Sequence, residues 1–392
     1  MAWETIPFNR LYAIESRNGL TKPSKVRGTG FKMINMGELF SNDRIYDISM
    51  ELVPLTESEK KNCKVEIGDL LFARQSLVLE GAGKCSIVMD VSPLTVFESH
   101  LIRVRLNKAI ANPMFYYYYF RSSLSPIKTI ISQCAQAGIR GSDLQGLAVA
   151  FPPIETQDKI AAVLSRFDTL IENNQRQIKL LEEAAQRLYK EWFVDLRYPG
   201  HENVPVVDGV PERWKKGKII EIVEYHDTKR KPLSGQQREK MKGNYRYYGA
   251  AGILDYVNSY LFDGTYLLLG EDGTVITDTG YPVLQYVNGK FWVNNHAHVI
   301  TGKDNYTTEF LYMLFSHTKV TDVVTGVAQP KISQGRLSDK EIIIPDPTIV
   351  RMYCSITKEL FSSILLLEEK NKLLIESRDR LLPKLMSGEI AV

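Results

Sequence analysis

Apolar residues recur along one long stretch of the chain with alternating spacings of four and three. The stretch lies between Pro153 and Pro199 and contains no glycine or proline. Ten positions follow the spacing, and all but one are apolar: Ile160, Leu164, Phe167, Ile171, Asn174, Ile178, Leu181, Ala185, Leu188 and Trp192. A seven-residue repeat of this kind is typical of a coiled-coil helix.

The same spacing returns 193 residues later, with more polar interruptions. The corresponding positions are Tyr353, Thr357, Leu360, Ile364, Leu367, Asn371, Leu374, Arg378, Leu381 and Leu385. Pro383 is expected in the last turn or at a kink, and Gly388 is expected to end the helix. Neither helix is stable alone in water with its apolar stripe exposed, so we predict that the two pack as an antiparallel coiled coil.

Polar residues in the two stripes favour one register of this coiled coil. A buried asparagine opposite an apolar side chain loses its hydrogen bonds, whereas two facing asparagines satisfy each other. We therefore predict that Asn174 faces Asn371. The same register gives two further pairs, Trp192 with Tyr353 and Phe167 with Arg378, the second being a candidate cation–π contact.

The sequence before each stripe also occurs in two similar copies, which indicates an internal duplication. Ala135, Gln136, Ile139, Leu144 and Pro152 recur without a gap as Ala328, Gln329, Ile332, Leu337 and Pro345. Further upstream the offset grows by two or three residues: Ser99, His100 and residues 115–120 match Asn295, His296 and residues 310–315. Trp3, near the start, has a counterpart in Trp214, 211 residues later. The middles, 20–95 and 225–290, share little, as expected of one scaffold with two different binding surfaces.

Within the copies, short apolar runs alternate with turn-forming residues. Residues 65–72 and 266–269 are expected to be buried strands, and residues 81–83, 270–273 and Gly289 to be turns. We predict an α+β fold with a pseudo-two-fold internal repeat. Two mixed α/β domains, 1–154 and 199–346, are each followed by a long helix, 155–198 and 347–392.

Composition sets limits on function without defining it. The chain has 392 residues and a net charge of only +3, so bulk charge does not argue for nucleic-acid binding. Its four cysteines, Cys63, Cys85, Cys134 and Cys354, are far apart, as expected of reduced thiols in the cytoplasm. The first residues do not resemble a signal peptide, and no run of 18 apolar residues occurs.

Motifs for enzymatic chemistry are incomplete. Residues 81–84, Gly-Ala-Gly-Lys, lack the first glycine and the hydroxyl residue of a phosphate-binding loop. Asn112, Pro113, Met114 and Phe115 resemble an adenine methyltransferase motif, but Met114 breaks it, and helix capping by Asn112 is the better interpretation. His296 and His298 lack a third metal ligand nearby in sequence, and Asp346 with residues 368–370 imitates a nuclease motif inside a helix. We assign no catalytic or metal-binding residue.

Several segments together resemble the specificity subunit of type I restriction-modification enzymes. The C-terminal segment 378–390, RDRLLPKLMSGEI, is similar to the family's C-terminal signature. Segments 152–164 and 188–195 resemble the central conserved region, residues 209–214 the start of the second recognition domain, and residues 68–74 a strand and loop of recognition domains. With the repeat, the resemblance covers nearly the whole chain.

The resemblance implies a division of labour. Each recognition domain would read one half of a bipartite site in double-stranded DNA, and the helices would set the spacer and dock two methyltransferase subunits. Those subunits would use S-adenosylmethionine, and two restriction subunits would use ATP and Mg²⁺, so no cofactor is expected here. Two other interpretations remain open, an adenine methyltransferase-like enzyme and a coiled-coil scaffold that does not bind DNA.

Residue chemistry nominates candidates for contacting DNA. Arginine pairs well with guanine, glutamine with adenine, and lysine with phosphate. In the first domain the candidates are Lys22, Lys25, Arg27, Arg74, Gln75, Ser76, Arg140 and Ser142. In the second they are Lys229, Arg230, Lys231, Tyr247, Asn294, Asn295, His296, Gln329, Lys331 and Ser333.

Overall fold

The computed structural model describes residues 3–133, 137–326 and 328–392. Ala135 and Gln136 of the repeat, and Cys134, lie outside these ranges. The chain divides into two compact units, Met1–Glu172 with Asn371–Val392, and Asn173–Lys370. Both long helices are divided between the units, so each unit holds one α/β domain and one end of each helix. The four-part division expected above therefore stays a prediction about segments, because the compact units cut across it.

A five-stranded sheet forms the centre of the first unit. Its strands lie in the order Tyr12–Asn18, Leu101–Leu106, Leu70–Ala73, Cys85–Val88 and Arg44–Ile45, and only the last pair is parallel. Smaller sheets are formed by Glu51–Val53, Phe31–Ile34 and Val96–Phe97, by Ser132–Gln133, Ala137–Gly138 and Gln75–Ser76, and by Thr5–Pro7 with Ala148–Ala150. The short helices are Met36–Ser41, Glu57–Asn62, Pro113–Arg121 and Gly141–Gly146.

An aromatic core fills the space between this sheet and helix Pro113–Arg121. All six residues from Phe115 to Phe120 are buried, and Phe8 and Phe72 pack in the same cluster. The nine-residue helix begins where Asn112 caps it and buries nearly its whole surface, which explains its uninterrupted aromatic sequence. Two buried thiols, Cys63 and Cys85, are also free in this unit.

A six-stranded sheet forms the centre of the second unit. Its strands lie in the order Val223–Tyr225, Ala297–Gly302, Phe262–Gly270, Leu284–Val293, Lys242–Tyr248 and Ile253–Val257. Two-stranded pairs are formed by Lys215–Lys218 with Glu341–Ile344, Val206–Val207 with Val210–Pro211, and Val324–Thr325 with Lys331–Ile332. The short helices are Gly235–Lys240, Thr308–Ser316 and Gln334–Asp339.

The two units repeat the same backbone hydrogen bonding, which confirms the duplication. Strand Thr5–Pro7 pairs with Ala148–Ala150 in the register that Lys215–Lys218 uses with Glu341–Ile344. Ala73 lies opposite Leu101 as Gly270 lies opposite Ala297. Helices 113–121 and 308–316, and helices 141–146 and 334–339, occupy the same places in the chain order. The drifting offset therefore reflects loop changes between conserved elements.

Both long helices form as expected from their apolar spacing. The first long helix is Ile154–Tyr189, continued by a π-helical turn Lys190–Val194, and the second is Pro347–Met386. All twenty positions of the two stripes are buried or half-buried. Pro383 lies inside the last turn, and Gly388 follows it with a φ of 72°. The predicted helices and their inward faces are confirmed.

Helix packing within each unit supports the antiparallel register. In the second unit the rings of Trp192 and Tyr353 lie 6.0 Å apart, which confirms that pair. In the first unit Arg378 Nη1 donates to Asp168 Oδ1 at 2.6 Å, so the cation–π contact expected with Phe167 is replaced by an ion pair to the adjacent residue. Tyr118 donates its hydroxyl hydrogen to the same carboxylate, and burial raises the pKa of this tyrosine. The pairing of Asn174 with Asn371 joins residues of different units and stays a prediction.

Two local expectations were wrong or incomplete. Gly289 lies inside strand Leu284–Val293, opposite Gly264 rather than in a turn, and both glycines have positive φ. The pairing continues through both glycines without a shift in register. In residues 65–72 only the end is a strand, Leu70–Ala73, because Gly68 turns the chain with a φ of 94°.

Candidate nucleic-acid interface

Predicted DNA-contacting residues of the first domain meet where strand Leu70–Ala73 ends. The Arg74 amide donates to the His100 carbonyl oxygen at 2.8 Å, and the Ile139 amide donates to the Arg74 carbonyl oxygen at 2.9 Å. Strand Gln75–Ser76 pairs with Ala137–Gly138, where a Cβ on Gly138 would lie only 2.9 Å from the Arg74 carbonyl oxygen. We call Arg74, Gln75, Ser76, His100 and Arg140 the first strand-end surface.

The second domain builds the equivalent place with the same backbone bonds. The Glu271 amide donates to the His296 carbonyl oxygen at 2.8 Å, and the Ile332 amide donates to the Glu271 carbonyl oxygen at 2.9 Å. Side chains then connect the three segments: Gln329 Nε2 donates to Asp272 Oδ1 at 2.9 Å, and His296 Nδ1 lies 3.5 Å from Asp272 Oδ2. We call Glu271, Asp272, Asn295, His296, Gln329 and Lys331 the second strand-end surface.

The two strand-end surfaces differ strongly in charge although their backbones match. Arg74 occupies the position that Glu271 holds in the other domain, and Gln75 the position of Asp272. Arginine and glutamine offer hydrogen-bond donors to base edges, whereas carboxylates accept from cytosine. Equivalent placement with different chemistry is what two readers of unlike sequences require.

A buried ionic network supports the second strand-end surface from below. Ligand atoms of Asp227, Glu271 and His298 lie within 4.8 Å of one another, close enough for a metal ion to bridge them. However, Arg230 Nη1 donates to Glu271 Oε2 at 2.6 Å and to the Ala297 carbonyl oxygen at 2.8 Å. His298 Nδ1 lies 2.6 Å from Asp227 Oδ2. The Arg230 guanidinium therefore already neutralises the Asp227 and Glu271 carboxylates, and the network holds these segments together.

Three candidates in the second domain are corrected by their surroundings. Arg230 is committed to this network, with 13% of its side chain exposed. Tyr247 is buried in the core, where its hydroxyl accepts a hydrogen bond from the Leu233 amide at 2.9 Å. Asn294 is also buried, and its Oδ1 accepts from the His296 amide at 2.8 Å, which shapes the turn. These residues position the surface and do not face a ligand.

Replacing Arg230 by alanine is expected to destabilise the second unit by about 3 kcal/mol, because two carboxylates would stay buried without their partner. Urea unfolding measures this change. The neighbouring exposed lysines provide matched controls: Lys229→Ala and Lys231→Ala should change stability by no more than about 0.5 kcal/mol while weakening salt-dependent DNA binding. A stable Arg230→Ala variant with reduced DNA affinity would show that Arg230 contacts DNA after all.

Remaining candidates divide between ion pairs, helix caps and open surface. Lys22 pairs with Glu59 at 2.8 Å and Arg27 with Glu51 at 2.6 Å, so their charges are largely matched within the domain. Lys25 is exposed. Ser333 Oγ accepts from the Arg336 amide and caps helix Gln334–Asp339. Ser142 is exposed in the first turn of helix Gly141–Gly146, next to Arg140 at its N-cap.

Sequence reasoning missed three members of the strand-end surfaces: His100, Glu271 and Asp272. His100 was noted only as a repeat match, and residues 270–273 only as a turn. Their position in the sequence could have identified them. Glu271 and Asp272 follow a buried strand, and His100 matches the candidate His296 of the other copy. Glu271 and Asp272 were missed because the search favoured cations that pair with phosphate, whereas carboxylates can contact DNA only at base edges.

The residues that resemble enzymatic motifs, Asn112 to Phe115 and Asp346, make structural contacts. Asn112 Oδ1 accepts from the amides of Met114 at 2.8 Å and Phe115 at 3.2 Å, and Phe115 is fully buried. Helix capping is thereby confirmed, and Phe115 cannot stack on a flipped base. Asp346 Oδ1 accepts from the Thr348 amide at 2.7 Å at the start of the second long helix. Among the described helices, none is both long and apolar enough to span a membrane.

The fold is a duplicated one. Two copies of one α/β domain, each packed on ends of the two long helices, carry different polar side chains at equivalent places, which is the architecture of a modular protein with two candidate binding surfaces. A family model described as the type I restriction modification DNA specificity domain matches residues 3–183 and 211–376. The chain therefore belongs to the family of type I restriction-modification specificity subunits.

Individual relatives agree with this assignment. The chain is 26% identical to the type I restriction enzyme MjaIX specificity subunit of Methanocaldococcus jannaschii, over 96% of this chain and 91% of that protein. It is 23% identical to the HindI specificity subunit of Haemophilus influenzae, over 91% and 94%. Its fold resembles the crystal structure of a type I restriction-modification S subunit from M. genitalium, with a TM-score of 0.59 at 14% identity, covering 98% of this chain and 96% of that one.

Proposed function

We propose that this chain reads a bipartite target in double-stranded DNA, one half with each recognition domain, for a type I restriction-modification complex. The first strand-end surface would read one half and the second strand-end surface the other. The long helices would hold the halves apart over an unread spacer. This arrangement turns two weak contacts into usable affinity only when both half-sites lie at the right separation.

One observation carries the proposal. Matching backbone bonds at Arg74 and Glu271 place Gln75 and Asp272, the next residues, at the same point of the two domains, yet one side chain there is a neutral amide and the other a carboxylate. A structural role would favour keeping the side chain along with the backbone. Direct readout of two different sequences explains the divergence, because each base pair in the major groove presents its own pattern of donors, acceptors and methyl groups.

Apolar side chains on the outer faces of the long helices support docking of two methyltransferase subunits. Leu170 and Leu180 on the first long helix are 50% and 64% exposed, and Leu366 and Leu373 on the second are 56% and 53% exposed. These leucines lie outside the heptad stripes, so packing between the helices does not account for them. Exposed apolar residues grouped on one element are typical of protein interfaces.

Chemistry in the proposed complex belongs to the partner subunits. Methyltransferase subunits would bind S-adenosylmethionine and methylate adenine, and restriction subunits, where present, would use ATP and Mg²⁺. This chain would contribute recognition and geometry and no catalytic residue. We expect the complex to act in the cytoplasm of a prokaryotic cell.

Substitutions at the two strand-end surfaces are expected to change different halves of the target. Arg74→Ala should relax or lose the base preference of one half by about 1–3 kcal/mol, and Gln329→Ala should do so for the other half. Methylome sequencing of cells that carry the variant with its modification subunit reads both halves at once. Each variant is the other's control, and a substitution that altered both halves equally would contradict separate reading.

The same measurement on the unaltered chain tests the proposal as a whole. A split motif containing adenine in each half, separated by a spacer of fixed length, is the expected result. A continuous motif, or methylation by the purified chain without partner subunits, would contradict it.

A further inference from the structure

An apolar tip projects directly beyond the first strand-end surface. It consists of Leu77, Val78 and Leu79, whose relative exposures are 88%, 59% and 44%. No other large apolar residue among those described is as exposed as Leu77. Three consecutive exposed apolar residues are costly in water unless something covers them.

Hydrogen bonds hold the tip in a defined position beside the candidate reading residues. The Val78 amide donates to Ser76 Oγ at 3.2 Å, and the Gly81 amide donates to the Val78 carbonyl oxygen at 3.2 Å. A Cβ on Gly81 would collide with Ser76 Oγ, so glycine allows the turn to close tightly. The tip is therefore an ordered turn that directly follows strand Gln75–Ser76.

Polar and cationic groups flank the tip on its two sides. Leu77 lines a surface cavity together with Gln75, Ser76 and His100 and with the apolar side chains of Met36 and Phe40. Leu79 lines another cavity with one carboxylate, three cations and three serines, namely Glu80, Lys84, Arg121, Lys128, Ser122, Ser123 and Ser125. Asp43 pairs with Lys84 and Arg121, whereas Lys128 is exposed. Gln75, Ser76 and His100 on one side offer hydrogen-bonding groups to base edges, and Lys128 on the other offers a positive charge to a phosphate.

The second domain has no such tip at the equivalent place. Gly273, with a φ of 92°, and Thr274 follow Asp272, and Val275 is then buried. An apolar extension needed for folding would be expected in both copies. Its presence in one copy only points to a task in one half-site.

We propose that Leu77 reads thymine, by contact with the 5-methyl group of that base in the half-site of the first domain. The inference rests on the proposed function, since it takes the first strand-end surface as a DNA reader. In the major groove the thymine methyl is the one apolar group a base pair presents, and apolar side chains recognise it by contact. Leu77 stands two residues beyond Gln75, within the same groove that Gln75 would enter.

Replacing thymine by uracil in the target tests the contact, because uracil differs only by the absent methyl. Duplexes carrying one deoxyuridine at each thymine of the site in turn are titrated with the complex of this chain and its methyltransferase subunits. At one position in the first half, affinity should fall about fourfold, the value of one buried methyl-sized group. With Leu77→Ser the same replacement should have no effect.

Ile67→Ser is the matched control. Ile67 is 56% exposed and lies before the other end of strand Leu70–Ala73, so its substitution should leave the full fourfold uracil effect. Both variants change exposed residues and should keep the melting temperature of the unaltered chain.

Several results would overturn the inference while leaving the proposed function intact. These are a bipartite target bound equally with uracil at every position, a uracil effect that persists in Leu77→Ser, and a Leu77→Ser variant that loses the methyltransferase subunits while keeping DNA selectivity, which would make the tip a protein contact. Complexes that bind no bipartite target at all would instead contradict the proposed function.

Discussion

One extra heptad in each long helix is expected to end methylation at the original sites and to move the preferred spacer by about three base pairs. Seven helical residues add about 10.5 Å, and B-DNA rises about 3.4 Å per base pair. Three base pairs also turn the second half-site by roughly 100°, so methylation at the new spacing should be weaker than at the original one. Methylome sequencing measures the spacer directly.

The insertion point follows from the compact units. Their boundaries fall after Glu172 in the first long helix and before Asn371 in the second. Duplicating residues 171–177 and 368–374 lengthens both helices there and keeps the contacts within each unit. Lengthening one helix alone is the control, because it shifts the stripes out of register and should destabilise the coiled coil. An unchanged spacer after the double insertion would show that the helices do not measure distance.

Replacing Tyr353 by alanine is expected to destabilise the second unit by about 3–5 kcal/mol, the usual cost of removing a buried aromatic ring. Tyr353 is fully buried, and four aromatic rings lie with their centroids 5.1–6.0 Å from its own, those of Tyr189, Trp192, Phe193 and Phe310. Tyr353 thereby links the second long helix both to the first long helix, through Trp192, and to the domain core, through Phe310. Urea unfolding followed by tryptophan fluorescence measures the loss.

Two variants serve as controls, one that removes only the Tyr353 hydroxyl and one that removes the ring of an exposed tyrosine. The Tyr353 hydroxyl donates to the Ala185 carbonyl oxygen at 3.2 Å, so Tyr353→Phe should cost only about 1 kcal/mol. Tyr256 is 48% exposed, and Tyr256→Ala should change stability by no more than about 0.5 kcal/mol. A loss below about 1 kcal/mol for Tyr353→Ala would show that this cluster does not hold the helices to the domain.

Candidate site residues were predictable only where a local signal existed. Arg74 and Gln75 follow a buried strand, and Gln329 and Lys331 follow the repeat, so position in the sequence marked them. Asp272 carried no such mark. Its role depends on Gln329 and His296, which come from segments far apart in the sequence.

The long helices, their inward faces, the duplication and the resemblance to the family were all predictable from the order of the amino acids. These features are periodic or repeated, and the spacing of apolar side chains along a helix is a local property that needs no knowledge of distant contacts. Which polar side chains reach the surface became clear from the folded chain. Arg230 looked like its neighbours Lys229 and Lys231, yet a strand and a loop from elsewhere enclose it. Burial of one side chain depends on what packs over it, and that is a property of the whole fold.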